Sequence, residues 1–188
     1  HAWLDAVRIV AVNVTSVVTT TGFALGDYTT WGSFAVLLFF YLTFVGGCSG
    51  STSGGLKIFR FQVAYVLLKA NLQQLIHPRA VIKQQYNNHN LDEDIVRSLI
   101  TFSFFFAITI ALIALGITLT GVDWVTALTG AATAVCNVGP GLGPVIGPAG
   151  NFSTLPDAAK WLLTIGMLLG RLEILTVLVL FTRVFWKH

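Results

Sequence analysis

Long apolar runs, separated by short polar or glycine-rich stretches, dominate the chain. The run 95–120 is continuous enough for a full membrane crossing, which takes about 20 apolar residues in a helix. The runs 4–18 and 123–136 are too short to cross, and a loop containing glycine follows each of them. Because non-helical backbone at membrane depth must be buried in protein or line water, the pattern predicts two re-entrant pore helices. They lead into a first loop at 19–27 and a second loop at 137–143.

Two further apolar regions complete the pattern. The region 31–76, for which Thr30 is a plausible N-cap, is interrupted at 46–55 by five glycines and four hydroxyl residues in ten positions. We call the segment 46–55 the insert, and its composition predicts a span cut by flexible, non-helical chain. The region 158–186 has the length of a single tilted span.

The composition identifies the protein class. Hydrophobic residues make up 55% of the chain and charged residues 10%, with a mean hydropathy of +0.78. A soluble domain has about a quarter of its residues charged, so we expect an all-α integral membrane protein. The chain opens at His1 without the features of a signal peptide, and we expect a fragment or a processed piece.

The positive charges are unevenly distributed. Six Lys and Arg residues lie between Lys57 and Arg97, and more follow at the C-terminus, whereas 116–160 carries few charges. By the positive-inside rule, residues 77–94 and the C-terminus are predicted to be cytoplasmic, with 79–94 as a loop and both glycine loops facing out. The net charge of +3 therefore indicates membrane topology and not nucleic-acid binding.

A weak internal repeat relates the two halves. A shift of 117 positions superposes Val18 on Val135, Gly22 on Gly139, Leu25 on Leu142 and Gly26 on Gly143. The predicted unit is span, pore helix, glycine loop and span, with one complete copy over 95–188 and one copy over 1–78 that lacks its first span. Internal symmetry in membrane proteins usually brackets a transport site.

The two loops fit a site for a monovalent cation. Glycine-permitted extended loops can direct several backbone carbonyls at one axis, where they replace the hydration shell of the ion. The strings are Thr20-Thr21-Gly22-Phe23 and Asn137-Val138-Gly139-Pro140. The alternative is that both are ordinary re-entrant turns of a membrane scaffold.

Three strings carry a family resemblance: TTTGF at 19–23, GGCSGSTSGGLKIFR at 46–60 and GMLLGRLEILT at 166–176. Together they resemble the membrane subunits of the Trk/Ktr/HKT superfamily of potassium transporters, and the bacterial TrkH group most of all. The resemblance implies four repeats resembling a K⁺ channel, arranged around one pseudo-fourfold pore. This chain would be the third repeat without its first span, followed by the fourth.

The resemblance also implies site residues. Gly22 and Gly139 would be filter glycines, and K⁺ would bind the filter backbone at Thr20, Thr21, Gly22, Asn137, Val138 and Gly139. The second loop has Val-Gly-Pro where a closer match to the first would have Thr-Gly-Phe, which indicates a looser filter. No cofactor is expected, and K⁺ is the transported ion.

The resemblance further implies partners. These are the lipid bilayer of a bacterial inner membrane, the remaining pore repeats of the same protein, a second copy in a homodimer, and a cytoplasmic nucleotide-binding regulatory subunit. Neither the homodimer nor the regulatory subunit follows from composition or spacing.

The insert is interpreted as a mobile constriction beneath the filter, because small residues make low-barrier hinges and their amides and hydroxyls can line a water path. In the family it resembles, this stretch is an intramembrane gating loop. A phosphate-binding loop and a plain helix kink are the alternatives; the insert lacks the Gly-Lys-Ser/Thr ending of a P-loop. The candidate gate residues are Gly46, Gly47, Ser49, Gly50, Ser51, Thr52, Ser53, Gly54, Gly55 and Arg171.

Arg171 lies near the middle of the last apolar region. An arginine at mid-membrane costs about 3 kcal/mol on insertion scales, so we expect it to be buried against protein. Glu173 would lie roughly 200° around the same helix, which makes the insert the better partner. A cation there would raise the barrier to K⁺. The alternative is a structural arginine joining two helices.

The predicted function is channel-like transport of K⁺, with Na⁺ as a further candidate ion. A substrate-coupled secondary transporter such as a symporter, and a non-conducting anchor or assembly subunit, are the alternatives. An enzyme is not expected, because no Ser/His/Asp set or metal cluster falls at membrane depth, and the four histidines lie in loops or at the termini.

Overall fold

The computed structural model describes residues 2–48, 50–51, 53–78, 83–87, 89–183 and 185–186, so that Ser49 and Thr52 of the insert lie outside the described residues. Over these residues the chain is helical. The α-helices are α1 (Ala2–Val18), α2 (Ser33–Phe44), α3 (Ile58–Ile76), α4 (Glu93–Thr118), α5 (Trp124–Cys136), α6 (Asp157–Arg171) and α7 (Ile174–Leu180). Short 3₁₀ helices occupy Tyr28–Trp31 and Phe152–Thr154.

Four two-residue strands complete the secondary structure. β1 (Val45–Gly46) pairs in parallel with β2 (Leu56–Lys57), and β3 (Gln85–Tyr86) pairs antiparallel with β4 (His89–Asn90). The first pair joins the two ends of the insert. The insert, predicted to be a flexible interruption, is therefore closed at its base by backbone pairing, and α3 begins two residues after Leu56, where the sequence predicts that helix would resume.

The core forms where α4, α5 and α6 pack against one another. The face of α5 consists of small residues: Ala127, Ala131, Ala132 and Val135 are fully buried. Small side chains let neighbouring backbones approach closely, as is common between helices in membranes. On α6, a Cβ added at Gly170 would lie 1.8 Å from the Val135 carbonyl oxygen, so this helix contacts the backbone of α5 directly.

The first half of the chain is less covered. α1 packs against α2 but leaves apolar side chains on its surface, among them Trp3 (76% exposed), Leu4 and Val7. The difference from α5 has a simple cause, because α5 has α4 beside it and α1 has no corresponding helix within the described chain.

The start of α2 differs from the prediction. Thr30, expected as an N-cap, lies inside the 3₁₀ helix, and Asp27 caps that helix by accepting a hydrogen bond from the Thr29 backbone N–H at 2.9 Å. α2 then begins at Ser33, after Gly32 at φ 109°. Tyr28 stacks on Phe39 with ring centroids 4.0 Å apart, which anchors this turn to α2.

The last apolar region is not one helix, which corrects the prediction of a continuous helix over 158–186. α6 ends at Arg171, α7 begins at Ile174, and their axes differ by 102°. Glu173 lies at the break with φ 56°, a conformation uncommon for a residue other than glycine. Gly170 directly precedes Arg171, the last residue of α6, but the sequence analysis did not interpret it as the end of a helix.

One described helix, α4, is long and apolar enough to cross a membrane by itself, and the bent pair α6 and α7 qualifies only if it is counted as one span. The first turn of α4 carries Glu93 and Asp94, where acidic side chains interact favourably with the positive end of the helix dipole. The complete crossing predicted at 95–120 thus corresponds to the helix Glu93–Thr118.

Gly170→Ala is expected to lower the thermal unfolding midpoint of the purified full-length protein in detergent. The added methyl group would overlap the Val135 carbonyl oxygen, a backbone atom that cannot rotate away, and overpacking typically costs about 1–3 kcal/mol. Gly116→Ala is the control, because its Cβ would meet the end of the flexible Leu162 side chain at 2.9 Å. Equal effects of the two substitutions would contradict the close packing of α6 on α5.

Candidate functional site

The first and second loops share a pattern of positive φ angles. Positive φ angles occur at positions that are related by the same shift of 117 residues: Thr20 (56°), Gly22 (82°) and Gly26 (82°), and Asn137 (56°), Gly139 (118°) and Gly143 (92°). Two of the six are not glycine: Asn137 directly follows α5, and Thr20 lies two residues after the end of α1. A left-handed residue is common just after a helix C-terminus. The internal repeat is therefore a repeat of conformation as well as of sequence.

Hydrogen bonds at the start of each loop match in the same way. The Thr21 backbone N–H donates to the Ser16 carbonyl at 2.9 Å, and the Val138 N–H donates to the Thr133 carbonyl at 3.0 Å. In the second loop the Thr133 hydroxyl also accepts from the Gly139 N–H at 3.0 Å. These bonds fold each loop back onto the last turn of its own helix.

Polar side chains on the half-helices hold the far ends of the loops. The Asn13 side chain accepts from the Leu25 N–H at 2.8 Å and donates to the Leu25 carbonyl at 3.1 Å. The Thr129 hydroxyl accepts from the Leu142 N–H at 3.3 Å, and its own proton donates to the Val125 carbonyl at 2.7 Å. Leu25 and Leu142 are equivalent in the repeat, so different side chains perform the same task in the two halves.

The two loops touch at their glycines. A Cβ on Gly22 would lie 2.3 Å from the Val138 carbonyl oxygen, and a Cβ on Gly139 would lie 3.5 Å from the Gly22 Cα. At Gly22 only a residue without a side chain allows this contact, and φ at both positions is in the region that favours glycine. The structure thus brings together the two positions that the sequence analysis selected first.

A cavity of about 410 Å³ lies beside the contact. Its lining includes five of the six predicted filter residues, namely Thr20, Thr21, Asn137, Val138 and Gly139. Gly22, the sixth, is placed against Val138 as described above. α6 forms another wall, and the Asn137 side chain donates to the Met167 carbonyl there at 3.1 Å.

The helix termini set the local electrostatics. α1 ends at Val18 and α5 ends at Cys136, so the partly negative C-terminal end of each helix leads into a loop. At the opposite end of α5, Asp123 Oδ2 accepts from the Thr126 N–H at 3.0 Å. This backbone hydrogen bond holds the pKa of the Asp123 carboxyl below its ordinary value.

The insert packs against the end of α5. A Cβ on Gly54 would lie 2.0 Å from the Cys136 carbonyl oxygen and 3.2 Å from the Asn137 Cβ. The insert therefore contacts the residue at which the second loop begins. This is the placement that a constriction next to the loops requires.

Hydroxyl groups stabilise the shape of the insert. Ser53 Oγ accepts from the Gly47 N–H at 2.7 Å and lies 2.8 Å from Ser51 Oγ, which donates to the Cys48 carbonyl at 2.7 Å. Of the other predicted gate residues, Gly46 lies in β1 and a Cβ there would lie 2.3 Å from the Gly54 carbonyl oxygen. Gly50 has open space around it, and Gly55 has φ 71°.

Arg171 shares a cavity of about 200 Å³ with the insert residues Ser51, Ser53, Gly54 and Gly55. This arrangement brings the arginine and the insert together, as the sequence analysis expected. Arg171 is exposed in this chain, however, which corrects the expectation that it is buried. The reason is that α6 ends at this residue, so the side chain leaves the packed face of the helix.

The same cavity contains charged residues that the sequence analysis did not select. Glu173 Oε1 lies 3.8 Å from Lys57 Nζ and 3.9 Å from Arg60 Nη2. The Arg60 guanidinium lies 3.5 Å above the Phe102 ring. The presence of charged residues within predicted spans was the signal that could have selected them. Their pairing was not predictable, because it requires the break between α6 and α7 that brings Glu173 toward α3.

Comparisons with known proteins agree on one family. The family model TrkH, described as a cation transport protein, matches residues 5–187. The Trk system potassium uptake protein TrkI of Halomonas elongata is 66% identical over 179 residues, and TrkH of Escherichia coli K12 is 39% identical over 175 residues. These alignments cover 95% and 93% of this chain, and 36% of each relative.

A solved structure matches the fold. The crystal structure of the potassium transporter TrkH from Vibrio parahaemolyticus gives a TM-score of 0.83 at 36% sequence identity, covering 91% of this chain and 36% of the other. The chain therefore spans a little over a third of the length of these proteins.

Thr129→Val is expected to lower the thermal unfolding midpoint of the full-length protein, because it removes the hydroxyl that accepts from the buried N–H of Leu142. A buried polar group left without its partner costs about 1–3 kcal/mol. Thr129→Ser retains the hydroxyl and is the control, expected to unfold nearer to the parent. If valine is tolerated as well as serine, the hydroxyl does not hold the second loop.

Proposed function

Because the chain belongs to the TrkH family of cation transport proteins, we propose that its two glycine loops form part of a selectivity filter through which K⁺ crosses the membrane. The ligands are backbone carbonyls of Thr20, Thr21 and Gly22 in the first loop and of Asn137, Val138 and Gly139 in the second. Na⁺ is a further candidate ion.

The contact between Gly22 and the backbone of Val138 and Gly139 carries the proposal. It joins two loops that share a pattern of positive φ angles and come from opposite halves of the chain, beside a cavity that their predicted ligand residues line. Repeated loops that meet in this way suit a shared ion path, because carbonyls from several loops are needed to replace a hydration shell. The second loop has Val-Gly-Pro at 138–140 where the first has Thr-Gly-Phe, so the proposed filter is looser than a strictly fourfold one.

The insert and Arg171 are proposed as the gate. Gly54 places the insert against the carboxyl end of α5, and Arg171 faces the same small cavity as the insert. A constriction there would lie in series with the filter, and the positive charge would raise the barrier to a cation. Ser49 and Thr52 belong to this proposal on sequence alone.

The parts of the protein beyond this chain, and its location, are proposed from the family and from the exposed surface of α1. On α1 an exposed apolar face is formed by Trp3, Leu4 and Val7. In the second half, α4 packs against α5, the half-helix equivalent to α1. A span preceding α1 would cover the exposed face in the same way. Two loops cannot enclose a fourfold path, so the remaining pore repeats must supply the others. We propose a location in the bacterial inner membrane, with the loops facing out and residues 77–94 and the C-terminus in the cytoplasm.

A homodimer and a cytoplasmic nucleotide-binding regulatory subunit are proposed as partners on the same family basis.

A coupled secondary transporter is the second candidate function, because α6 and α7 form a helix pair broken by 102°, and broken helices are typical of that class. Flux measured with and without a proton or Na⁺ gradient separates the two: passive conduction follows the K⁺ gradient alone.

Gly22→Ala is expected to reduce rubidium or potassium flux into vesicles containing the full-length protein by about tenfold or more, a factor equal to roughly 1.4 kcal/mol in the barrier. The added methyl would displace the Val138 carbonyl oxygen, 2.3 Å away. Gly26→Ala is the matched control: its φ is also 82°, but nothing lies within 4 Å of its Cβ. Normal flux through the assembled Gly22→Ala protein would contradict the filter assignment, and no flux through the parent protein would contradict conduction itself.

Arg171→Ala is expected to increase flux severalfold, because it removes the proposed electrostatic barrier beside the insert. Arg171→Lys keeps the charge and should remain close to the parent. The measurement is the same vesicle flux, with protein amount and oligomeric state checked by size-exclusion chromatography. Unchanged or reduced flux in an alanine variant that assembles normally would count against a gating arginine and favour a structural role.

A further inference from the structure

An ionic cluster closes one side of the cavity that the insert lines. Lys57 is the last residue of β2, Arg60 lies in the first turn of α3, and Glu173 lies between α6 and α7. The Glu173 carboxylate is 3.8 Å from the Lys57 ammonium and 3.9 Å from the Arg60 guanidinium. These are ion pairs at distances longer than direct hydrogen bonds. The cluster thus joins the end of the insert to the bend of the last helix.

The cluster also separates two cavities. The insert cavity, of about 200 Å³, is lined by Lys57, Arg60 and Glu173 together with the insert and Arg171. A second space of about 400 Å³, which we call the outer cleft, is lined by the same three charged residues together with residues of α4, among them Asp94 and Ser98. Residues shared by two adjoining cavities form the wall between them.

We propose that the carboxylate of Glu173 holds Lys57 and Arg60 across the passage from the insert cavity to the outer cleft, so that the three side chains form a second, ionic constriction in series with the insert. Glu173 is a positioning residue in this arrangement. The inference rests on the proposed function, because it places the constriction on the path from the filter.

Burial and contacts support a defined wall. The side chains of Lys57 and Arg60 are 22% and 19% exposed, whereas that of Glu173 is 51% exposed. Arg60 is also held from its other side, with its guanidinium 3.5 Å from the centroid of the Phe102 ring. Two cations held near one carboxylate have little freedom to move, so they block the passage. Loss of the carboxylate would let the two cations separate, because they repel each other.

The backbone of Glu173 gives a way to separate its charge from its conformation. Its φ of 56° favours glycine, so a glutamate is retained there at some conformational cost. Glu173→Gln removes the charge and keeps that cost, and Glu173→Gly removes both. If the carboxylate forms the wall, the two substitutions should have the same effect.

The experiment measures access to the insert cavity and does not depend on ion flux. Ser51, which lines that cavity, is changed to cysteine in the full-length protein after its native cysteines have been replaced, and the rate of its reaction with a small neutral maleimide is measured in membrane vesicles. Glu173→Gln and Glu173→Gly are each expected to raise this rate about fivefold, the order of effect for losing partly exposed ion pairs.

A charge exchange tests the electrostatic origin of the effect. Glu173→Lys should raise the maleimide rate further, and adding Lys57→Glu should return it toward the parent value, because an opposite-charge pair forms again. Asp5→Asn is the control: it removes the carboxylate of an exposed pair, Asp5 Oδ1 with Arg8 Nη2 at 3.5 Å on α1, and should leave the rate unchanged.

An unchanged rate in Glu173→Gln, an effect confined to Glu173→Gly, or failure of the charge exchange to restore the parent rate would each overturn the proposal. If Glu173→Gln does not assemble, Lys57→Gln removes the other side of the pair and is judged by the same criterion. Because the readout is thiol modification, a parent protein that conducts no ions would contradict the proposed function and leave this test intact. Normal flux with unchanged modification would contradict only the inference.

Discussion

The close approach of three glycines to the carboxyl end of α5 is the constraint on which the rest of the structure depends. Glycine at 170 faces the Val135 carbonyl, glycine at 54 faces the Cys136 carbonyl, and glycine at 22 faces the Val138 carbonyl. A helix C-terminus leaves its last carbonyls without intrahelical partners. Here that end is surrounded by backbone from α6, the insert and the first loop, so the site has little space for any side chain.

This arrangement explains why the two halves differ in burial while their loops share a conformation. The second loop lies in the packed core, with Leu142 6% exposed, whereas the equivalent Leu25 is 48% exposed. Hydrogen bonds local to each half-helix set the loop backbone, through Asn13 in one half and Thr129 in the other. The loop shape is therefore fixed by its own half-helix, and burial depends on how many neighbouring helices are present.

The charges near the insert depend on a different feature, the break between α6 and α7. Had the last helix continued straight, Glu173 would have lain on the side of that helix opposite Arg171. The positive φ at Glu173 turns the chain instead and brings its carboxylate to Lys57 and Arg60. The first loop, the insert and the ionic cluster thus follow one another along the contacts that start from α5.

The sequence by itself determined the helical class, the positions of the half-helices, the loop glycines and the insert, because apolar run length and glycine spacing are local properties. It also indicated the repeat through the equivalence of Gly22 and Gly139. Only the tertiary structure decided that these glycines touch, that the insert is closed by pairing of β1 with β2, and that Arg171 is exposed. The break at Glu173 was also decided only by the tertiary structure, because the apolar length of 158–186 fits one continuous helix and an isolated glycine such as Gly170 is tolerated within a helix.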